Sequence, residues 1–212
     1  MSDLGEPPPI PELKRFPRRT ISPGRKIYRL HHHELGPFWF GSVPPRGGNR
    51  FDLPTPSGSS YWAFDKASAA LETLARRPVR LIPAEILARY ALTTATVPLP
   101  IVDAANLTVK AAKGFGVTAE IHTSADRALT QRWAAALHAA GFRAVLGMPR
   151  HDPTGTGRTF TMWGRAGEHR PYGWNWRVTS NSTEELGDLL RPWGVHVVPI
   201  PFDVETVTPG PR

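Results

Sequence analysis

The sequence predicts an α+β fold, a mixed or antiparallel sheet core with flanking helices, on three observations. Strand-like and helix-like segments interleave without the regular βαβ period of a doubly wound sheet. Pro 23 and Gly 19 in 212 residues mark a chain that turns often and has few long helices. An apolar share of 40% is enough for a buried core in a chain of this length.

Residues 1–24 read as a proline-rich, basic, linker-like arm in which "PPPIP" favours polyproline II. "RKIYRLHH" (25–32) is the first strand. Residues 34–59, with "FWFG", "PPRGGNR" and "PTPSGSS", form a long turn-rich stretch; a loop of that length in a compact domain usually carries function. "YWAF" (61–64) is a short strand. Asp65 then caps a helix running to about Arg76, with Ala67, Ala70, Leu71 and Leu74 at helical spacing.

Short strands are expected at 79–82, 86–96 and 99–103, although 84–91 is also compatible with a helix. A small helix is expected over 105–113, stopped by Gly114. The clearest helix is "SADRALTQRWAAALHAAG". Ser124 and Arg127 mark its start, Leu129, Trp133, Ala136, Leu137 and Ala140 its buried stripe, and Gly141 its stop. "FRAVLGM" and "RTFTMWG" read as strands joined by the loop "PRHDPTGTG". "NSTEELGDLLRPWGVHVVPI" reads as a helix with a Ser182/Glu185 capping box, followed by a strand. No internal repeat is present.

Composition narrows the function classes. No apolar run approaches the roughly 20 residues of a membrane span, and the N-terminus lacks the apolar stretch of a secretory signal. Cys 0 excludes disulfides, thiolate catalysis and cysteine-ligated metal, and fits a cytoplasmic location. Without secretion the Asn181-Ser182-Thr183 sequon carries no meaning. A net charge of +8 invites an anionic partner. Much of the excess lies in Lys14, Arg15, Arg18, Arg19, Arg25 and Lys26, where a solvated basic segment is the plain explanation and nucleic-acid binding the sharper one. No helix-turn-helix, zinc-finger or RNA-recognition signature supports the latter.

Few constellations carry chemistry. The triplet His31-His32-His33 cannot easily gather on one zinc ion, because adjacent side chains share no face of a strand or helix. No metal site is expected. "TGTG" (154–157) lacks the frame of a phosphate-binding P-loop. Glu72 is more informative: a carboxylate beside the apolar stripe of an alanine-rich helix needs partners or a task. An i+4 pair with Arg76 is its plain explanation.

The order of the pieces adds to this. Arg29 in an early strand, "GGNRFD" with Arg50, and the aromatic strand at Tyr61 and Trp62 lead into the helix bearing Glu72. In this order the chain resembles the RES domain family. That family shows a "YR" strand, a "G-R-F/W-[DN]" turn, a "Y-x-A" strand entering an "A-x-E" helix, and a late "S-R". The resemblance covers roughly residues 26 to 164, dividing the chain into the 1–24 arm, a RES-like domain at 25–165 and a C-terminal extension at 166–212.

The resemblance implies an ADP-ribosyltransferase-like fold and an enzyme that consumes NAD, as toxins do that a neighbouring Xre-type helix-turn-helix antitoxin restrains. By position, Glu72 and Arg50 would be catalytic, and Arg29, Arg50, Tyr61 and Arg150 would bind the dinucleotide. The cationic pyridinium leaving group needs no general acid, so one carboxylate suffices to stabilise the developing ribose cation. Glycosidases, by contrast, need a second carboxyl. One departure is plain: Pro149 stands where the family has serine, beside a retained Arg150, and proline has neither hydroxyl nor backbone N–H. Thr154 or Thr156 nearby is a candidate replacement. Two readings therefore stand, an NAD-cleaving enzyme and a catalytically degenerate RES-like binding or regulatory module whose basic arm engages nucleic acid or an acidic partner.

Overall fold

Residues of the central strands point alternately to the two faces of the sheet they form, and helices lie on one of those faces. The computed structural model describes residues 3–43, 47–74, 81–170 and 173–199. In chain order the elements are α1 (Ile10–Leu13), β1 (Arg18–Ile21), β2 (Lys26–His32), β3 (Trp39–Phe40), β4 (Ser57–Ala63), α2 (Lys66–Leu74), β5 (Leu81–Pro83), α3 (Ala84–Leu87) and β6 (Tyr90–Thr96). β7 (Ile101–Asn106), α4 (Glu120–Thr123), α5 (Arg127–Ala139), β8 (Ala144–Gly147), β9 (Thr159–Arg165), β10 (Gly167–Glu168), β11 (Asn175–Ser180), α6 (Thr183–Leu190) and β12 (His196–Val198) follow. The expected helix end at Arg76, the start of the 79–82 strand and the end of the chain lie outside the described residues.

Eight strands form one sheet in the order β1-β7-β8-β9-β4-β2-β6-β11. β7 and β8 run parallel and the other neighbours antiparallel. The expected α+β class, with a largely antiparallel sheet and flanking helices, is the architecture observed. On one face Leu129, Trp133 and Leu137 of α5 bury against Ala105, Val145 and Trp163. On the same side Ala70 and Leu71 of α2 and Leu186 and Leu190 of α6 pack with Leu30, Ala63 and Leu92. Ile27, Trp62, Ala95, Phe160 and Met162 form the other face, under Phe38 and Phe40 of the 34–43 loop.

The helix starts follow their caps. Asp65 accepts from the Ser68 amide and hydroxyl at 2.7 Å each, opening α2 as expected. α5 begins two residues later than Ser124 suggests, because Asp126 accepts from the Leu129 amide while the Ser124 hydroxyl accepts from Asp126 N. Gly141 ends it at φ 96, a left-handed conformation that glycine adopts without strain. The Ser182 side chain accepts from Glu185 N at the start of α6.

Several expectations need correction. The N-terminal segment is not a free arm: Leu4, Leu13 and Phe16 are buried in the α5 core, and β1 is an edge strand of the main sheet. Its prolines set the path of a packed segment, and hydrophobic burial outweighs their local preference. Arg18 sits 3.5 Å from Asp103 and over the Phe142 ring. Residues 105 and 106 finish a strand, and a 3-10 helix at Lys110–Phe115 ends at Gly116 rather than Gly114. There Ala104 and Ala105, which favour a helix by propensity, are fully buried in the sheet, and tertiary burial decides their conformation. Residues 84–87 are helical, so the 86–96 strand starts at Tyr90. β4 begins at Ser57, four residues before the aromatic signal; a Cβ at Gly58 would lie 2.7 Å from the Phe40 carbonyl oxygen, so only glycine admits that approach.

Candidate active site

β2 and β4 share a single ladder pair, Tyr28 with Ala63, and part beyond it. A cleft of about 420 Å³ opens at this parting, lined by β2 from Tyr28 to His32 and by β4 from Tyr61 to Ala63. Arg50, Glu72, Arg127, Arg150 and His151 complete its walls. All five residues singled out from the sequence therefore meet in one cleft, although roughly twenty residues or more separate Arg29, Arg50, Glu72 and Arg150 along the chain.

Arg50 is carried by a turn tied down from three sides. Asp52, which is buried, accepts from the Asn49 amide at 2.6 Å and from the Tyr61 hydroxyl at 2.8 Å. The Tyr61 oxygen in turn accepts from Phe51 N at 2.9 Å. Gln131 of α5 donates to the Gly47 and Asn49 carbonyls at 3.1 and 2.9 Å. Trp163 Nε1 donates to the Phe51 carbonyl at 3.0 Å. With its hydroxyl bonded to the turn, Tyr61 has its ring left to line the cleft. Burial first, then the Asp52 carboxylate, hold that phenol well above its usual pKa.

The Arg50 guanidinium comes within 3.8 Å of the Glu72 carboxylate, at side-chain exposures of 12% and 26%. Burial pushes its pKa down to about 10, with Arg127 adding to the effect and Glu72 opposing it. It still carries its charge at neutral pH. Arg50 Nη1 is buried and has no hydrogen-bond partner among the described residues, an expensive state for a cationic donor. Glu72 projects from α2, and its Oε1 accepts from the His151 amide at 3.0 Å. The carboxylate is thus held between a turn and a loop that both line the cleft. The Arg76 partner suggested for it lies outside the described residues.

Arg29 occupies the other side of the parting. Its Nη1 is shared among the Pro37 carbonyl at 2.6 Å, the Trp39 carbonyl at 2.9 Å and the Ser60 hydroxyl at 2.5 Å. It clamps the 34–40 loop to β4, and burial lowers its pKa to about 10. His31 lies on the same face, with Nδ1 on the His32 and Leu35 carbonyls and Nε2 on the Thr93 hydroxyl. Burial lowers its pKa, aided by Arg29, so it is neutral with its proton on Nδ1. His32 and His33 stack on each other instead, so the triplet divides between separate tasks.

Arg150 lines the cleft, whereas Pro149 is buried with its ring 2.7 Å from where a Cβ on Gly157 would sit. Thr154 and Thr156 hydrogen-bond each other, and Thr154 also bonds Asp152, so their hydroxyls serve the loop. The threonine hydroxyls on the cleft wall belong to Thr73, Thr159 and Thr161. Sequence reasoning did not single out Arg127, Asp52, Gln131 or His122 for the site. His122, buried on α4, accepts at Nδ1 from Met148 N and so supports the start of the loop that holds Glu72. Burial, then Arg50 and Arg158, push its pKa to about 4. Its only sequence signal was a histidine beside a helix cap.

The RES domain family matches residues 26–177. A search of the curated proteins found no match. Among solved structures, a chain of the M. tuberculosis MbcT-MbcA toxin-antitoxin complex matches with a TM-score of 0.57 and 18% sequence identity, over 79% of this chain and 91% of that one. That likeness is one of fold. The family match spans well over half the sequence and takes in the strand, turn and helix that carry Arg29, Arg50 and Glu72: the chain belongs to the RES domain family.

Proposed function

We propose that this protein is a RES-type toxin that binds NAD in the cleft and breaks its nicotinamide–ribose bond. One observation carries the reading. Among the described residues that line the cleft, Glu72 is the single carboxylate, and Arg29, Arg50, Arg127 and Arg150 line the cleft with it, Arg50 at 3.8 Å. A site with one carboxylate and several arginines suits a substrate with a pyrophosphate and a leaving group that is already cationic.

In this reaction the C–N bond breaks and its electron pair neutralises the pyridinium, so nicotinamide leaves without a proton donor. Positive charge builds on the ribose, and Glu72 stabilises it. The His151 amide and the Arg50 guanidinium fix the carboxylate before the substrate arrives, which removes reorganisation from the barrier. Arg50 and Arg150 face the pyrophosphate and the Tyr61 ring supplies an aromatic wall. Arg29 ties the 34–40 loop to β4 and contributes its charge to the cleft wall. The acceptor that bonds to the ribose is water, phosphate or a protein side chain.

The solved complex of fold-related MbcT with an antitoxin supports an antitoxin partner here as well, and an Xre-type helix-turn-helix protein is the form we infer. Among the described residues no helix is long and apolar enough to cross a membrane, which suits a toxin acting in the cytoplasm.

The test is release of nicotinamide from NAD by purified protein, with and without phosphate. Glu72→Gln should lower kcat about 10³-fold and leave NAD affinity nearly unchanged, since the carboxylate acts on charge that develops in the transition state. Equal turnover by wild type and Glu72→Gln would refute the assignment. NAD binding without nicotinamide release by wild type would favour a RES-like binding module.

A further inference from the structure

We propose that α5 is a second phosphate-binding element of the cleft, in which Arg127 contacts the anion and Gln131 positions Arg50 beside it. The inference rests on the NAD reading of the site, and deepens it.

Arg127 opens α5, is half-buried, and lines the cleft. Gln131 lies four residues on, one helical turn away on the same face, and holds the carbonyls of Gly47 and Asn49 next to Arg50. One helix therefore presents a cation to the cleft and latches the turn that presents another. The charge balance shows what such a pair is for. Arg127 and Arg150 both disfavour the charge on Arg50, and Glu72 is the carboxylate that opposes them. Three guanidinium groups brought to one cleft against one carboxylate repel each other, and hydrogen bonds from Gln131 and Trp163 to the backbone of its turn keep Arg50 there. An anionic ligand removes that repulsion.

The buried Arg50 Nη1 gives the second, independent indication. A buried guanidinium donor with no acceptor among the described residues marks a place where a ligand oxygen completes the bond. Arg50 and Arg127 approach the same space from two elements, so together they fit a pyrophosphate, whose two phosphoryl groups offer acceptors in two directions.

Calorimetric titration with ADP-ribose and with inorganic pyrophosphate tests this, using adenosine as a ligand without phosphate. Arg127→Ala should weaken ADP-ribose and pyrophosphate by at least about tenfold, as expected for a charge-assisted contact. Arg127→Lys should recover part of the loss. Gln131→Ala should weaken both ligands by roughly three- to fivefold. It should have no further effect in the Arg50→Ala background, because it acts through Arg50. The loss from Arg127→Ala should persist in the Gln131→Ala background. A merely structural role for Gln131 predicts the same cost in both backgrounds, and that result overturns its positioning role. Arg127→Ala binding both probes as tightly as wild type overturns the contact while leaving the NAD reading intact. Wild type that binds neither NAD nor pyrophosphate removes the reading of the site and this inference together.

Discussion

Arg29 and Arg50 line the same cleft, and burial lowers the pKa of each to about 10. Their surroundings are otherwise opposite. Arg29 Nη1 has three oxygen acceptors, two of them carbonyls of the loop it clamps. Arg50 Nη1 has none among the described residues, and the turn beneath it is tied by Asp52, Tyr61, Gln131 and Trp163. Burial alone does not separate a structural arginine from a ligand-binding one. The difference lies in whether the protein itself completes the guanidinium's hydrogen bonds.

The largest expected effect comes from removing the unsatisfied arginine. Arg50→Ala should weaken NAD binding about 100-fold, roughly 2.7 kcal/mol, with little change in thermal stability. Removing the satisfied one should do the reverse. Arg29→Met takes a donor from the Pro37 and Trp39 carbonyls, and should lower stability by about 2–3 kcal/mol. For a chain of this size that is a drop in Tm of roughly 5–10 °C, readable by calorimetry. If Arg29→Met melts like wild type and loses only NAD affinity, the division of labour between the two arginines is wrong.

Why one half of this comparison was legible in the sequence, and the other was not, follows from locality. Arg50 sits in a short glycine-rich turn and Glu72 on an alanine-rich helix; both signals occupy a few consecutive residues, and their order led to the family. The strands at 25–32 and 158–164 and the long helix were legible for the same reason. What holds Arg50 in place is non-local. Gln131 and Trp163 reach it from about 80 and 110 residues away, and no period or motif records that. The N-terminal segment was misread for a related reason. Its prolines dominate the composition, while Leu4, Leu13 and Phe16, which decide its packing, are sparse and irregularly spaced. β11 escaped notice because an edge strand with exposed Trp176 and Val178 lacks the alternation of a half-buried one.

A smaller effect tests the support on the Glu72 side. His122 holds Met148 N as a neutral acceptor, and its pKa falls from 6.5 to about 4 in the folded chain. The unfolded chain therefore takes up a proton first as pH falls below about 6.5, and stability declines until about pH 4, where both states are protonated. By pH 5 the loss should be about 2 kcal/mol. His122→Gln, which keeps an acceptor but does not titrate, should remove this share of the acid sensitivity in denaturant titrations at pH 7 and pH 5. An unchanged pH dependence in His122→Gln would assign the sensitivity to other groups.

The smallest expected effect is at Pro149. On sequence grounds Pro149→Ser restores a family hydroxyl and raises turnover, by up to roughly tenfold for one well-placed hydrogen bond. The structure argues for less. Pro149 packs against the loop that runs to Gly157, while its neighbours Met148, Arg150 and His151 form the cleft wall. A serine there would meet Gly157 and Asp152 before it met Glu72, and it would release the φ restraint that proline places on the loop. That loop delivers the His151 amide to Glu72, so loosening it acts against any gain. Pro149→Ser should thus change kcat by no more than about threefold in either direction. Thr159→Val, which removes a hydroxyl on the cleft wall, should cost more. A gain of tenfold or more in Pro149→Ser would mean that the 148–157 loop turns its side chains toward Glu72 when substrate binds, and that the Glu72 side of the cleft is less fixed than the Arg29 side.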